Sequence, residues 1–334
     1  MPTSKRKRPI VHELFAPGLK PDVRLKVFGT SEYHVHSVLL KLYSGFFLKF
    51  LDSPEKKVPA SPEFAYEWIT QIDDDDGWHL VAAQAAPQKT GSLHDQKKQS
   101  QQEDAFHALI QAIYNMPYMI YRAEELAALF ELADYYCALR IVSRTLDEAI
   151  TYGEEEGVFW GLKENPCRFL QLAISLRNER LFKECLCLSL GPWTDPVFRK
   201  GATGEVWQIC EKACSKIYAR MGRVNERLLK RMHQLARNDP AARDKMLEYM
   251  KKVSLNFTDS SPDKMYLPQY YRKLWNFKSN DGKQLFRDAM EGLIDNTLTL
   301  ARDSKAGQGD FIDFFLCESL EYEEIPWDLD EDHW

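Results

Sequence analysis

No apolar run in the 334-residue sequence approaches the roughly 18 residues that a membrane span needs, so a spanning helix is not expected. No hydrophobic stretch follows the basic start Ser4-Lys5-Arg6-Lys7-Arg8-Pro9 either. A secretory leader is therefore not expected, and the chain reads as intracellular, in nucleus or cytoplasm. The motifs of common chemistries are missing as well: no G-x-S-x-G, no phosphate-binding glycine loop, no H-E-x-x-H and no glycine-rich dinucleotide turn. That set of absences points away from an enzyme, and no catalytic, cofactor-binding or metal-ligating residue is expected. The seven cysteines are odd in number and sit inside apolar helical patterns, so they are read as reduced. No fixed period of 20 to 50 residues recurs, which argues against a solenoid.

What is present describes an ordinary globular protein. Hydrophobic residues make up 44%, aromatics 12% and charged residues 28%. The length favours two domains at about 150 residues each. The net charge of −6 gives no reason to expect a polyanion partner for the whole molecule.

Val23, Leu25 and Val27 alternate with Arg24, Lys26 and Phe28, the period-two pattern of a half-buried strand. Gly29-Thr30-Ser31 marks a turn and Tyr33 with Val35 a second strand, so the two read as a hairpin. After Ser37 the apolar residues Val38, Leu39, Leu42, Phe46, Phe47 and Phe50 recur at helical spacing. Further strands are expected at Phe64 to Ile72 and Trp78 to Ala82, around the acidic turn Asp73 to Gly77. That turn is no calcium loop, because Ile72 and Ala83 stand where the first carboxylate and the bidentate glutamate belong. The stretch from Ala85 to Glu103 holds one leucine and no aromatic, and it is expected to be a disordered insertion.

Helical spacing dominates afterwards, in stripes around Phe106 to Ile113, Leu126 to Tyr136 and Ile141 to Ile150. Beyond a break at Gly153 to Gly157, helices are expected at Pro166 to Ser175, Leu181 to Leu190, Gly201 to Ala219, Asn225 to Ala236, Ala241 to Val253 and Lys283 to Arg302.

The run Asp22-Val23-x-Leu25-x-Val27, then Tyr33-x-Val35-His36-Ser37-x-Leu39-Leu40, then Ser44-x-Phe46-Phe47, resembles the opening of the BTB/POZ domain. About 90 residues on, Leu129-Phe130-Glu131-Leu132-Ala133-Asp134-Tyr135-Tyr136 resembles that family's "L-L-x-L-A-D-x-Y" helix. The resemblance covers roughly Leu14 to Thr151. The later half, with Phe169-Leu170-Gln171-Leu172-Ala173 and Leu181-Phe182-x-Glu184-Cys185, resembles the helical extension of BTB proteins common in filamentous fungi. Segments like Phe315-Leu316-Cys317-Glu318 and Pro326-Trp327-Asp328 tend to close such chains.

The resemblance implies an α+β fold, a BTB/POZ domain followed by an all-helical domain. The expected divisions are a flexible basic N-terminus at 1–13, the BTB domain at 14–152 with its insertion at 85–103, the helical domain at 160–316, and an acidic aromatic tail at 317–334. It also implies that His36 is a packed, locally hydrogen-bonded core residue beside a buried Asp22. Residues two apart on a strand share a face, so His34 and His36 could pair on a metal, yet no third ligand is identifiable. Ser37 stands where some family repressors carry a basic residue, so their co-repressor pocket does not carry over. Burying Asp22 without a cation then favours its neutral form or demands hydrogen bonds.

Some family members are adaptors for a cullin-type ubiquitin ligase. Here Leu51-Asp52-Ser53-Pro54-Glu55 does not match the spacing of their contact element, while the helical extension is present. The family's strand-exchanged dimer is expected to be absent or altered. About twenty residues precede Asp22, and Ile10, Val11, Leu14 and Phe15 read as one short helix. Among the cysteines only Cys210 and Cys214 could share a helix face, while Cys185 and Cys187 could not, and core packing explains all four better than zinc.

Two charged regions remain. Lys5, Arg6, Lys7 and Arg8 form a run that reads either as a nuclear import signal or as a solubilising terminus. Lys216 to Lys252 holds eleven Lys/Arg against four Asp/Glu, an excess of +7. It could touch nucleic acid, or pair with the acidic tail from Glu318 to Asp332, which is the favoured reading. Tyr322, Ile325, Trp327 and Trp334 in that tail are candidates for docking a partner. The overall expectation is a non-catalytic scaffold or adaptor with protein partners, a second copy of the chain being one candidate, no membrane partner, no cofactor, and nucleic acid as the less favoured partner. The alternative is a nuclear regulator contacting nucleic acid through 216–252.

Overall fold

The computed structural model describes residues 8–53, 62–73, 77–83, 96–153, 155–255, 265–278, 284–318, 325–328 and 331. The chain is mixed α+β and divides into two units between Glu154 and Glu155, a small five-stranded sheet with helices and then a helical unit.

In the first unit the strands are β1 (Ile10–Glu13), β2 (Val23–Val27) and β3 (Ser31–Val35), followed by helices α1 (Ser37–Tyr43) and α2 (Gly45–Phe50). Strands β4 (Tyr66–Ile72) and β5 (Trp78–Ala82) complete the sheet, and α3 (Gln96–Ile113), α4 (Ala123–Tyr135) and α5 (Leu139–Tyr152) pack together. The sheet order is β1-β3-β2-β4-β5. The hairpin β2–β3 is antiparallel with Val27 opposite Ser31, β4 lies parallel to β2, β5 runs antiparallel to β4, and β1 runs parallel to β3.

The hairpin turn takes Phe28 and Gly29 to positive φ, 49° and 71°, and the Thr30 N–H closes it on the Val27 carbonyl at 3.2 Å. Phe28 tolerates that conformation because its N–H donates to Thr70 Oγ1 at 2.9 Å and its ring lies 4.7 Å from Trp78. Val23, Leu25 and Val27 alternate inward and are fully buried, each contributing about 1.5–3 kcal/mol by leaving water.

Two expectations fail here. The N-terminal segment is neither wholly flexible nor a short helix, since Ile10–Glu13 is a strand; residues 1–7 lie outside the described residues. An edge strand needs only one partner, and Ile10 N donates to Thr30 O at 2.8 Å to start the pairing. The insertion at 85–103 is also not disordered throughout. Residues 96–103 are the first two turns of α3, tied down where Trp78 Nε1 donates to Gln102 at 3.0 Å and Thr30 Oγ1 to Glu103 at 2.7 Å. Residues 84–95, and Asp74 to Asp76 of the acidic turn, lie outside the described residues.

The second unit runs α6 (Glu155–Glu164), α7 (Pro166–Leu176), α8 (Glu179–Ser189), α9 (Phe198–Gly201), α10 (Gly204–Asn238), α11 (Pro240–Leu255), α12 (Leu267–Trp275) and α13 (Arg287–Met290). The break expected at 153–157 is already helical from Glu155. Pro166 starts α7, Arg177 at φ 50° ends it, and Asn178 caps α8 by accepting from the Leu181 N–H at 2.8 Å.

The two helices expected at 201–219 and 225–236 are one. Gly222 does not interrupt it, because the buried stripe Cys210, Cys214, Ile217, Met221, Val224, Leu228 and Leu235 continues past it at spacings of three, four and seven. The helix expected at 283–302 shrinks to four residues. Gly292 takes φ 78°, and the Asn296 amide donates to the carbonyls of Ala301, Arg302 and Ser304, so side-chain bonding to the backbone displaces the helix.

Candidate interaction surfaces

His36 sits at the junction of β3 and α1 and is 2% exposed. Its Nδ1 lies 2.8 Å from the Tyr114 hydroxyl, which also accepts from the His36 backbone N–H at 2.7 Å. Nε2 has no hydrogen-bond partner among the described residues. Tyr114, at the end of α3, is a partner that sequence reasoning did not assign to His36, and burial raises its phenol pKa well above the ordinary value.

Asp22, expected to be buried, is half-buried and completes the junction through hydrogen bonds, with no ion pair to a cation among the described residues. Its carboxylate accepts from the Ser37 N–H at 2.7 Å and the Ser37 hydroxyl at 2.6 Å. The helix residue at the cap position, His36, makes no side-chain cap bond, so a carboxylate from the neighbouring strand does that work for α1. His34 does not join this site. It lies 2.8 Å from Glu32 Oε1 and 3.7 Å from Glu13 Oε1, so the two histidines have separate partners. Among the described residues no group of three or more His, Cys, Asp or Glu is placed to hold a metal ion.

The two sequence segments that lie about 90 residues apart meet in an aromatic cluster. Ser44 is buried; its hydroxyl donates to the Tyr136 carbonyl at 2.6 Å and accepts from the Phe47 N–H at 3.2 Å, capping α2. Phe47 stacks on Tyr136 at 5.5 Å, Phe46 meets the same ring edge-on at 5.0 Å, and Trp68 of β4 lies 5.9 Å from Phe46. Leu40, Leu132 and Ala133 are buried, Leu39 is half-buried, and Asp134 is exposed at the end of α4.

Compared with known proteins, the chain matches no family model, no curated protein and no solved structure. The surface must therefore be read by itself. On α1 the inward Leu40 is fully buried, while Val38 (52% exposed) and Leu42 (66%) lie one turn apart on the outer side. Leu48 of α2 is also exposed, as are Ile10 and Val11 of the edge strand and Phe15 after it. Single exposed apolar residues are ordinary, but a pair sharing one helix face is a patch that a partner can cover.

The edge strand is held by a histidine pair. His12 of β1 stacks on Tyr33 at 4.7 Å and lies 4.8 Å from His107 of α3. Burial holds both imidazoles below the ordinary 6.5, and for His107 the neighbouring His12 adds to it. The unfolded chain therefore takes up protons below about pH 6.5 that the fold resists, and stability falls with pH from that value downward. Denaturant midpoints measured at pH 7.5 and pH 5.5 are expected to show the loss, and His12→Gln is expected to reduce it.

In the second unit the acidic tail is partly described. Trp327 meets Phe182 of α8 edge-on at 5.3 Å, and Glu331 pairs with Arg177 at 2.6 Å. Further back, Glu318 lies 3.9 Å from Lys216, and Arg220 donates to the Cys317 carbonyl. Among the described residues the segment thus docks on its own chain between α8 and α10, and Lys216 and Arg220 of the basic stretch take part. Ile325 lines a cavity of about 310 Å³ between α8 and α10. Tyr322, Trp334 and Lys5 to Lys7 lie outside the described residues, and Arg8 is exposed.

Cys185, Cys187, Cys210 and Cys214 are all buried and unpaired in disulfides, and burial pushes each thiol up. No helix among the described residues is long and apolar enough to cross a membrane.

Proposed function

We propose that this chain is a non-catalytic protein–protein interaction module, a scaffold or adaptor whose first unit is a BTB/POZ-type domain and whose helical unit adds a second surface. The observation that carries the reading is the outward pair Val38 and Leu42 on α1, held in place by the hydrogen-bonded junction beneath it. The buried His36 and the Asp22 to Ser37 bonds serve to fix where α1 leaves the sheet, so the apolar face is presented in one orientation.

A cullin-type ubiquitin ligase is the partner class that the adaptor reading names. Affinity capture with the full chain followed by mass spectrometry tests this: a cullin in the eluate supports the adaptor role, and an eluate without any specific partner contradicts the proposal. Strand exchange between two copies is not part of the proposal; the pairing of β1 with β3 of its own chain supports that part of the reading.

A further inference from the structure

Between Lys212 and Asn238 the long helix α10 holds one carboxylate, Glu226, among seven further arginines and lysines. Arg223, Arg227, Lys230, Gln234 and Arg237 follow at intervals of four, three, four and three. At 100° per residue these five fall within an arc of about 80°, along about 21 Å of helix. All five side chains are exposed. Lys230 pairs with Glu226 at 2.6 Å, and no carboxylate among the described residues forms an ion pair with Arg223, Arg227 or Arg237. Like charges three and four residues apart cost a helix about 0.2–0.5 kcal/mol per pair. The buried stripe on the opposite side sets the packing of α10, so nothing in the fold requires this repulsion.

We propose that this face of α10 binds the phosphate backbone of nucleic acid. One carboxylate already sits at its N-terminal end, where Glu318 lies 3.9 Å from Lys216, and beside it Arg220 donates to the neutral Cys317 carbonyl. The face beyond has no apolar side chain, whereas a docked peptide needs apolar anchors to hold it. A membrane surface would need a broad apolar side of the helix, and in α10 the continuous apolar stripe is in the core, with Leu229 exposed outside the basic stripe. Arginine outnumbers lysine three to one in the stripe, and its planar fork matches phosphate oxygens. Contacts of this kind go to the backbone and read no sequence.

The test is fluorescence anisotropy of the full chain with a labelled duplex DNA of about 20 base pairs, across salt. Four phosphate contacts give a log–log salt slope of about −3 to −4, which is about a hundredfold loss of affinity between 50 and 200 mM salt. The combined variant R223Q/R227Q/K230Q/R237Q is expected to flatten that slope and weaken binding at least about tenfold at the lower salt. Glutamine is a good helix former, so circular dichroism should be unchanged. The proposal is overturned if the wild type does not bind at about 50 mM salt or if the variant keeps the wild-type slope. Binding to polyglutamate or to phosphatidylserine vesicles without binding to DNA overturns it equally.

Discussion

Phe47→Ala is expected to destabilise the first unit by about 3–5 kcal/mol, the cost of removing a buried phenyl ring and leaving its cavity. Phe47 is fully buried, stacks on Tyr136 at 5.5 Å and meets Trp68 at 6.2 Å, so it joins α2, β4 and the end of α4. A domain of this size has only about 5–15 kcal/mol in total, so the variant should sit near the edge of folding. Urea denaturation followed by circular dichroism measures it. The neighbouring exposed Leu48→Ala, on the same short helix, should change stability by less than about 0.5 kcal/mol. Equal effects at the two positions would show that the cluster does not organise the unit.

A comparable loss is expected at Glu184 in the second unit. Its side chain is buried in α8, and Oε1 accepts from the backbone N–H groups of Thr299 and Leu300, the latter at 3.2 Å. Burial raises the carboxyl above its ordinary range, while those two N–H groups and Arg180 favour the charged form. Alanine leaves two backbone donors without an acceptor at about 1–3 kcal/mol each, and relief from burying the acid offsets only part of that. Glu184→Ala should therefore cost about 2–5 kcal/mol, and Glu184→Gln, which keeps one acceptor oxygen, markedly less. If both cost the same, the loss comes from the charge and not from the two backbone bonds.

How much of this was legible follows from which forces act locally. The alternation of Val23, Leu25 and Val27 is a property of one strand, and it places β2 and its hairpin without further information. The edge strand β1 was not legible, because Ile10 and Val11 are both exposed and leave no period-two signal. Composition misled at 96–103, where two polar turns belong to a helix anchored by its later apolar stripe and by Trp78 and Thr30. At 283–302 the helical spacing is real, but Asn296 and Thr297 take their partners from the turns and from the distant Leu316.

The same division holds for the site. That Asp22 would need hydrogen bonds in place of a cation could be argued from Ser37 alone, and the two bonds are there. That Tyr114 would hold His36 could not, since 78 residues separate them and no periodicity links them. The basic stretch was visible as a count, while its arrangement as one stripe needed the two expected helices to be continuous.

The central claim is that the outer face of α1 recognises another protein. Affinity capture run in parallel with the wild-type chain and with a Val38→Glu, Leu42→Glu variant tests it most directly, with thermal melting as a check that both remain folded. Since both side chains already face water, the account expects equal melting temperatures and a partner retained by the wild type alone. The same partner in equal amount on both chains would contradict it.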